Sequence, residues 1–167
     1  NAIASLALGH PANQEQMAPL LVSLLGNPSE GTQKRAAKAL WRVVKENPDN
    51  QAHIAKSGGA EQLVKLLRDG APGAKKYSLW SLSMSIDKDN QEVVSESGGV
   101  KPLVLALTMD NPTVTLQATA GLAALALNNK SAQKEIALEG GIAPLISLLD
   151  RFESEGTQEH AAAALSE

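Results

Sequence analysis

The sequence predicts an all-α fold, a right-handed α-solenoid of stacked three-helix repeats, and three observations support this prediction. Glycine pairs at 58–59, 98–99 and 140–141 each precede a Leu-rich phrase, and successive pairs are 40 and 42 residues apart. A period in the forties made of helical phrases is typical of solenoids, whose units bury their apolar faces only against neighbouring units. Aromatic residues make up 2% of a chain that is 43% hydrophobic, so aliphatic side chains must form the core. No stretch has the alternating pattern of a strand.

Each repeat contains three helical phrases, which are clearest in residues 47–86. A short first helix over 50–55 ends at the glycine pair, because glycine adopts the left-handed conformation of a helix C-cap without steric cost. The Leu-rich second helix follows over 60–67 and ends in the polar turn 69–73. The third and longest helix, over 74–86, carries apolar residues at helical spacing. The other third helices are predicted over 32–46, 115–127 and 157–166.

The repeat frame treats residues 1–167 as one solenoid. Its predicted parts are a partial repeat over 1–10 and four repeats over about 11–46, 47–86, 87–127 and 128–167. The first full repeat lacks a glycine pair, and Pro11 to Met17 is too short for an ordinary first helix. The frame begins and ends inside third helices, so we expect an excised part of a longer array. Exposed apolar residues at its ends, among them Leu6, Leu8 and Leu165, predict end-to-end self-association.

Several motifs together identify the kind of repeat. They are the Asn-Pro-Asp-Asn-Gln opening at 47–51, the glycine pairs, the Pro-Leu-Ile/Val phrases at 102–104 and 144–146, and Trp80 on a third helix. On these features the whole chain resembles the armadillo repeat family. HEAT repeats have a similar period, but they have two helices and no glycine interruption, so they rank second. The resemblance implies that the third helices line a concave wall that binds extended peptides.

The resemblance also implies two rows of groove positions on the third helices. The first row is Lys38, Trp80, Leu122 and Ala163, and the second is Ala7, Arg42, Met84 and Ala126. In the nuclear-import adaptors of this family the second row carries Asn, which grips the backbone of a basic peptide beside the Trp. Here the second row has no Asn, the first row keeps one Trp, and the first part of the groove is basic. A nuclear-import role is therefore disfavoured.

Charge is distributed unevenly along a chain whose net charge is −3. Residues 31–76 carry ten Lys or Arg and four acidic residues, whereas residues 77–167 carry five and twelve. The sequence therefore predicts that the groove binds an acidic or phosphorylated peptide, since cationic side chains complement such segments. The predicted groove residues are Lys34, Arg35, Lys38, Arg42, Lys45, Lys76, Tyr77, Trp80, Met84 and Leu122. Trp41 fits either the core or this surface.

A second hypothesis is a structural scaffold or spacer segment without a ligand of its own in this region. The lack of Asn in the second row favours this hypothesis. The small residues at 118–121 also favour it, because they offer a ligand little side-chain surface. The basic residues are equally compatible with a merely solvated helix face. The two hypotheses differ in whether the isolated chain retains partners that are lost when Trp80 is replaced.

Catalysis and cofactor binding are disfavoured by the residue types present. The chain has no Cys, which excludes disulfides and thiolate zinc sites. His10, His53 and His160 lie in different repeats and share no metal-ligand spacing. We therefore expect no enzyme activity, no cofactor and no metal.

Other classes of partner are weaker candidates. Trp41, Tyr77 and Trp80 could stack on nucleic-acid bases, but the acidic net charge and the short basic stretch disfavour nucleic acid. No apolar run approaches the ~20 residues that a membrane span needs, so membrane insertion is not expected. A cytoplasmic or nucleocytoplasmic location is consistent with the absence of Cys.

Overall fold

The computed structural model describes residues 11–45, 47–150 and 154–167, and these residues form helices and connecting turns without any strand. The predicted partial repeat 1–10, with Leu6, Ala7, Leu8 and His10, lies outside the described residues. The helices are α1 Pro11–Leu25, α2 Glu30–Val44, α3 Pro48–Lys56, α4 Gly59–Asp69, α5 Pro72–Ser85, α6 Gln91–Glu96, α7 Val100–Ala106, α8 Pro112–Ala126, α9 Lys130–Leu138, α10 Ile142–Asp150 and α11 Glu155–Ser166.

The chain divides into two compact units, of which the first ends at Ser85 and the second begins at Ile86. In the first unit α2 packs against α5, and α4 also packs against α5. In the second unit α8 packs against α11, and α10 packs against α11. Each unit therefore contains a pair of third helices in contact, and their buried faces consist mainly of Ala, Leu and Val, as the composition predicts.

The two glycines of a pair have different structural roles. Gly58 has a φ of +70°, in the left-handed region that L residues rarely adopt, and this ends α3 as predicted. Gly59 lies where a Cβ atom would stand 2.5 Å from Ile54 Cγ2 and 3.0 Å from Val22 Cγ2. The second glycine thus lets the start of α4 approach the preceding helices closely.

The Asn-Gln dipeptide of the repeat opening ties a first helix to the third helix that precedes it. Asn50 Nδ2 donates to the Val43 carbonyl oxygen at 2.9 Å, and Gln51 Nε2 donates to the Val44 carbonyl oxygen at 2.9 Å. The last carbonyl groups of a helix have no partner within their own helix, so the two amides satisfy them.

The first helices of the second unit carry glutamine at the position of Gln51, but one of these glutamines bonds to a different third helix. Gln133 Nε2 donates to the Ala126 carbonyl oxygen at 2.9 Å and so caps the preceding α8. Gln91 Nε2 also reaches the end of α8, at 2.6 Å from the Ala124 oxygen and 3.1 Å from the Leu127 oxygen. Two glutamines from different first helices therefore cap one third helix.

The helix boundaries differ from the predicted ones in two ways. α1 is a single helix with Pro19 inside it, so the first and second helical phrases of this repeat are joined. The sequence there contains no glycine pair to separate them. The third helices also begin two or three residues earlier than predicted. Ser29, Asn111 and Ser154 cap α2, α8 and α11 from further upstream.

Candidate functional site

Helix α2 is amphipathic and presents most of its cationic residues on one side. It buries Ala36, Ala37, Leu40, Val43 and Val44. At 100° per residue, an arc of about 120° on the opposite side holds six residues that are exposed or half-buried: Lys34, Arg35, Lys38, Trp41, Arg42 and Lys45. We call Lys34, Arg35, Lys38 and Arg42 of this arc, together with Lys76 of α5, the basic face.

Helix α5 lies beside α2 and places its own predicted residues next to the basic face. Tyr77, Trp80 and Met84 are half-buried and recur at spacings of three and four, which keeps them on one side of the helix. The side chain of Lys34 crosses from α2 to α5, where its Cε atom lies 3.0 Å from the place of a Cβ atom on Gly73. The predicted residues of α2 and α5 are thus brought together on adjacent helices.

Three aromatic rings contact one another where the two helices meet, and we call Trp41, Tyr77 and Trp80 the aromatic cluster. The ring centroids of Trp41 and Trp80 are 5.0 Å apart, and those of Trp41 and Tyr77 are 5.8 Å apart. Tyr77 meets Trp80 edge to face at 5.6 Å. Such pairs contribute about 0.5–1.5 kcal/mol each beyond their buried area. The cluster therefore holds α2 and α5 together as well as providing apolar surface.

Two lysines of the basic face lie on these rings. Lys76 Nζ is 4.5 Å from the Trp80 ring centroid, and Lys38 Nζ is 5.6 Å from the Tyr77 ring centroid. Each cation–π contact is worth about 0.5–1 kcal/mol at an exposed site. The Trp80 Nε1 atom is buried and has no hydrogen-bond partner among the described residues. The Tyr77 and Trp80 rings are thus each in contact with an ammonium group in the unbound protein.

The charge of the basic face is not neutralised by the ion pairs that the structure contains. Those found in the described part of the chain are Arg68–Asp69 at 3.0 Å and Lys101–Glu139 at 3.5 Å. Hydrogen bonds from Arg68 lower the pKa of Asp69. Neither pair involves a residue of the basic face, so its charge is available to a ligand. Lys75, in contrast, donates to the Arg68 carbonyl oxygen at 2.6 Å and is held away from the face.

The prediction of Leu122 as a groove residue is wrong. Its side chain is 0% exposed, and Ala126 in the second row is 1% exposed, so both belong to the core of the second unit. α5 and α8 begin at Pro72 and Pro112, a separation of 40 residues, whereas the predicted rows assumed 42. The half-buried positions that correspond to Trp80 and Met84 are therefore Ala120 and Ala124.

Trp41 is the residue that the sequence-based site omitted. It contacts both α5 aromatics, and it follows Lys38 by three residues on the same side of α2. That spacing is a signal in the sequence. The distance between α2 and α5 decides whether a Trp at this position is buried in the core or lies at the surface. The sequence does not specify that distance.

The second unit contains a polar cleft of about 800 Å³ between α6, the end of α8 and the start of α9. Its lining mixes acidic, basic and amide side chains, with Gln91 bonded to the end of α8. Nowhere in the described ranges do three or more His, Cys, Asp or Glu residues come together in a way that could hold a metal ion. No described helix is both long and apolar enough to cross a membrane.

Comparison with known proteins agrees with this architecture. Residues 130–167 match the family model of the Armadillo/beta-catenin-like repeat. A crystal structure of an engineered protein superimposes on 99% of the chain with a TM-score of 0.82 and 29% identity, and the chain covers 69% of that protein. A designed armadillo repeat protein in complex with the peptide (KR)4 matches over 99% of the chain with a TM-score of 0.79 and 25% identity, with 72% of that protein covered.

The chain has the armadillo-repeat fold. A second engineered protein, 29% identical with a TM-score of 0.84, also matches 99% of the chain, which spans 42% of that protein's length. No curated protein matches the chain significantly. The fold class predicted from the glycine period, an all-α armadillo solenoid, is therefore confirmed, and armadillo third helices carry both the basic face and the aromatic cluster.

Proposed function

We propose that this armadillo chain is a protein-interaction module that binds an extended acidic or phosphorylated peptide segment across α2 and α5. The observation that carries the proposal is a basic face outside the ion pairs of the described residues, beside an aromatic cluster, on the helices that the family resemblance assigns to peptide binding. Trp, Tyr and Arg are the residue types that dominate binding energy at protein interfaces. The basic face supplies charge complementarity, and the cluster supplies apolar area.

The sign of the charge distinguishes this chain from its designed neighbour. That designed armadillo protein is in complex with (KR)4, a peptide of alternating Lys and Arg. A peptide of that kind would meet like charge at Lys34, Lys38 and Arg42, and like-charge contacts oppose association. The same fold is thus expected to bind the opposite class of peptide here.

Both carboxylate and phosphate ligands fit the residues present. Arg35 and Arg42 are exposed on α2, and a guanidinium group forms paired hydrogen bonds with either anion. Lys34 and Lys38 act as point charges beside them. Two peptides that differ only in having Glu or phosphoserine at the same positions distinguish a carboxylate ligand from a phosphate ligand. The peptide with the higher affinity identifies the preferred anion.

Charge reversal tests the location of the site. The Lys38→Glu, Arg42→Glu double variant is expected to weaken binding of a fluorescein-labelled Glu-rich decapeptide by about tenfold or more, because attraction becomes repulsion. The matched control is Lys65→Glu with Lys88→Glu, which changes the net charge equally at exposed residues outside the basic face. Equal affinity of the first variant and the parent in fluorescence anisotropy would show that the site is elsewhere.

The scaffold alternative is favoured by one observation in the second unit. The half-buried positions of α8 that correspond to Trp80 and Met84 are Ala120 and Ala124, which offer a ligand little side-chain surface. A scaffold role predicts that neither acidic nor phosphorylated peptides bind the chain. Measurable binding of either peptide, lost in the Lys38→Glu, Arg42→Glu variant, would exclude a purely structural role for the first unit.

A further inference from the structure

Two lysines of the basic face are already engaged with the aromatic cluster in the unbound protein. Lys76 lies over Trp80, and Lys38 lies over Tyr77. An anionic ligand that pairs with these ammonium groups must compete with the ring faces for them. Because a carboxylate attracts an ammonium more strongly than an exposed ring does, ligand binding is expected to draw the lysines off the rings.

Withdrawal of Lys76 leaves an apolar surface that needs a new contact. Trp80 is half-buried, and the Lys76 Nζ atom lies 4.5 Å from its ring centroid. An aromatic or long aliphatic side chain can replace the lysine on the ring, and aromatic pairs favour such offset or edge-to-face packing. A ligand that carries only charged residues would leave the uncovered ring in water.

The indole nitrogen of Trp80 provides a second, independent reason to expect rearrangement. Its Nε1 atom is buried and has no acceptor within the described ranges. Buried donors are nearly always paired in folded proteins, since an unpaired one has lost its water without compensation. A peptide carbonyl or carboxylate oxygen that reached this donor on binding would satisfy it.

We propose that the bound segment is not merely acidic but carries an aromatic or long aliphatic side chain directly beside its acidic residues. In the complex the acidic side chains pair with Lys38 and Lys76, and the apolar side chain packs on the Trp80 ring that Lys76 vacates. This inference rests on the proposed function, because it assigns the chemical class of the segment that the basic face binds.

Two decapeptides that differ at one position test this inference. Both consist of Glu and Ser, and the central residue is Phe in one and Ser in the other. The Phe peptide is expected to bind the parent protein about fivefold more tightly, as one added aromatic contact predicts. In the Trp80→Leu variant the two affinities are expected to become nearly equal, while both remain dependent on salt.

An NMR measurement on the parent protein makes the test independent of whether Trp80→Leu folds. The chain has two Trp residues, so its ¹H–¹⁵N spectrum has two indole signals, which the Trp41→Phe variant assigns. The Trp80 indole proton is expected to move downfield when the Phe peptide binds, since its donor gains an acceptor. An unchanged Trp80 signal at saturation would overturn the inference.

The outcomes separate this inference from the function on which it rests. Equal, salt-dependent affinities of the parent for both peptides would overturn the apolar requirement and leave the acidic-peptide function standing. A preference for Phe that persists in a folded Trp80→Leu variant would show that the apolar residue contacts another surface, and would also overturn it. Absence of binding by either peptide would overturn both proposals.

Discussion

At the scale of single residues, the glycine pair combines a conformational requirement with a steric one. Gly58, Gly98 and Gly140 have φ values of +70°, +76° and +80°, and a Cβ atom at each would meet open space. The second glycine is constrained by its neighbours, as at Gly141, where a Cβ atom would lie 2.8 Å from Ile136 Cγ2. The repeated dipeptide therefore reflects two separate constraints that select the same residue.

The steric constraint predicts the effect of adding one methyl group. Gly59→Ala is expected to lower the free energy of unfolding by about 1–3 kcal/mol, because the new Cβ atom would lie 2.7 Å from the Ile54 carbonyl oxygen. Gly31→Ala is the control, since its Cβ atom would meet only Ser29 Oγ at 3.8 Å. Urea denaturation measures both, and equal stability of the two variants would contradict the close approach.

One acidic residue gives the second unit a pH-dependent stability. Burial, and secondarily the charge of Glu139, raises the pKa of Glu135. A carboxyl with a raised folded-state pKa stabilises the fold when protonated, and this contribution is lost as the pH rises through that pKa. Glu135→Gln is thus expected to be slightly more stable than the parent at pH 7. Thermal melts should show the gain shrinking toward pH 4, and a gain that grows on acidification would contradict it.

At the scale of elements, the sequence predicted helix identity better than helix register. Apolar spacing identified every third helix, and the separation of 42 residues correctly aligned α2 with α5. It misplaced Leu122, because α8 begins 40 residues after α5 and the register moved with this shorter spacing. Register depends on the length of each turn, which varies between repeats even when the apolar pattern does not.

The site was predictable in its composition but not in its internal contacts. Helical spacing alone is sufficient to put Lys34, Lys38 and Arg42 on one side of α2. The contacts of Lys76 with Trp80 and of Trp41 with Tyr77 depend on rotamers and on the distance between two helices. Sequence patterns specify neither quantity, so the covering of the rings by lysines could not be predicted from them.

Helix capping gives a prediction that belongs to one element. Asn111 Oδ1 accepts from the Val114 amide at 3.2 Å and satisfies a donor at the start of α8. Asn111→Ala is expected to lower the free energy of unfolding by about 1 kcal/mol, the usual cost of a lost N-cap. Thr113→Ala, an exposed change in the same turn, is the control. Chemical denaturation of both variants checks it, and Asn111→Ser should restore most of the loss.

At the scale of the whole molecule, charge is sorted along the sequence. The excess of basic residues lies within 31–76 and the excess of acidic residues within 77–167. An acidic ligand is therefore expected to favour the first unit even without any shape selection. Electrostatic attraction of this kind is screened by salt within about 10 Å at ~0.1 M ionic strength.

Screening leads to a measurable salt dependence. Raising the salt concentration from about 50 mM to about 500 mM is expected to weaken binding of the Glu-rich decapeptide by about tenfold, because the ligand's contacts are exposed. A neutral decapeptide with Gln at the same positions serves as the control. Salt-independent affinity for the acidic peptide would mean that charge is not the basis of recognition.

The end-to-end self-association predicted from Leu6, Leu8 and Leu165 stays a prediction, and the structure adds a second apolar surface, on α10. Ile142 and Ile146 are 41% and 49% exposed, whereas Val100 and Val104, at the same places of the Leu-rich phrase in α7, are 0% and 7% exposed. An apolar surface of this kind favours weak association at high concentration. Light scattering is expected to show a mass that rises with concentration and falls in an Ile146→Glu variant. A strict monomer at high concentration would contradict the prediction.

Binding of an acidic segment across α2 and α5 can be measured directly by NMR chemical-shift mapping. A ¹⁵N-labelled protein is titrated with the Glu-rich decapeptide, and the amide signals that move are assigned to residues. The largest shifts are expected within 34–45 and 73–84, with the Trp80 region among them. Shifts concentrated in α6–α11, or no shifts at saturating peptide, would contradict it.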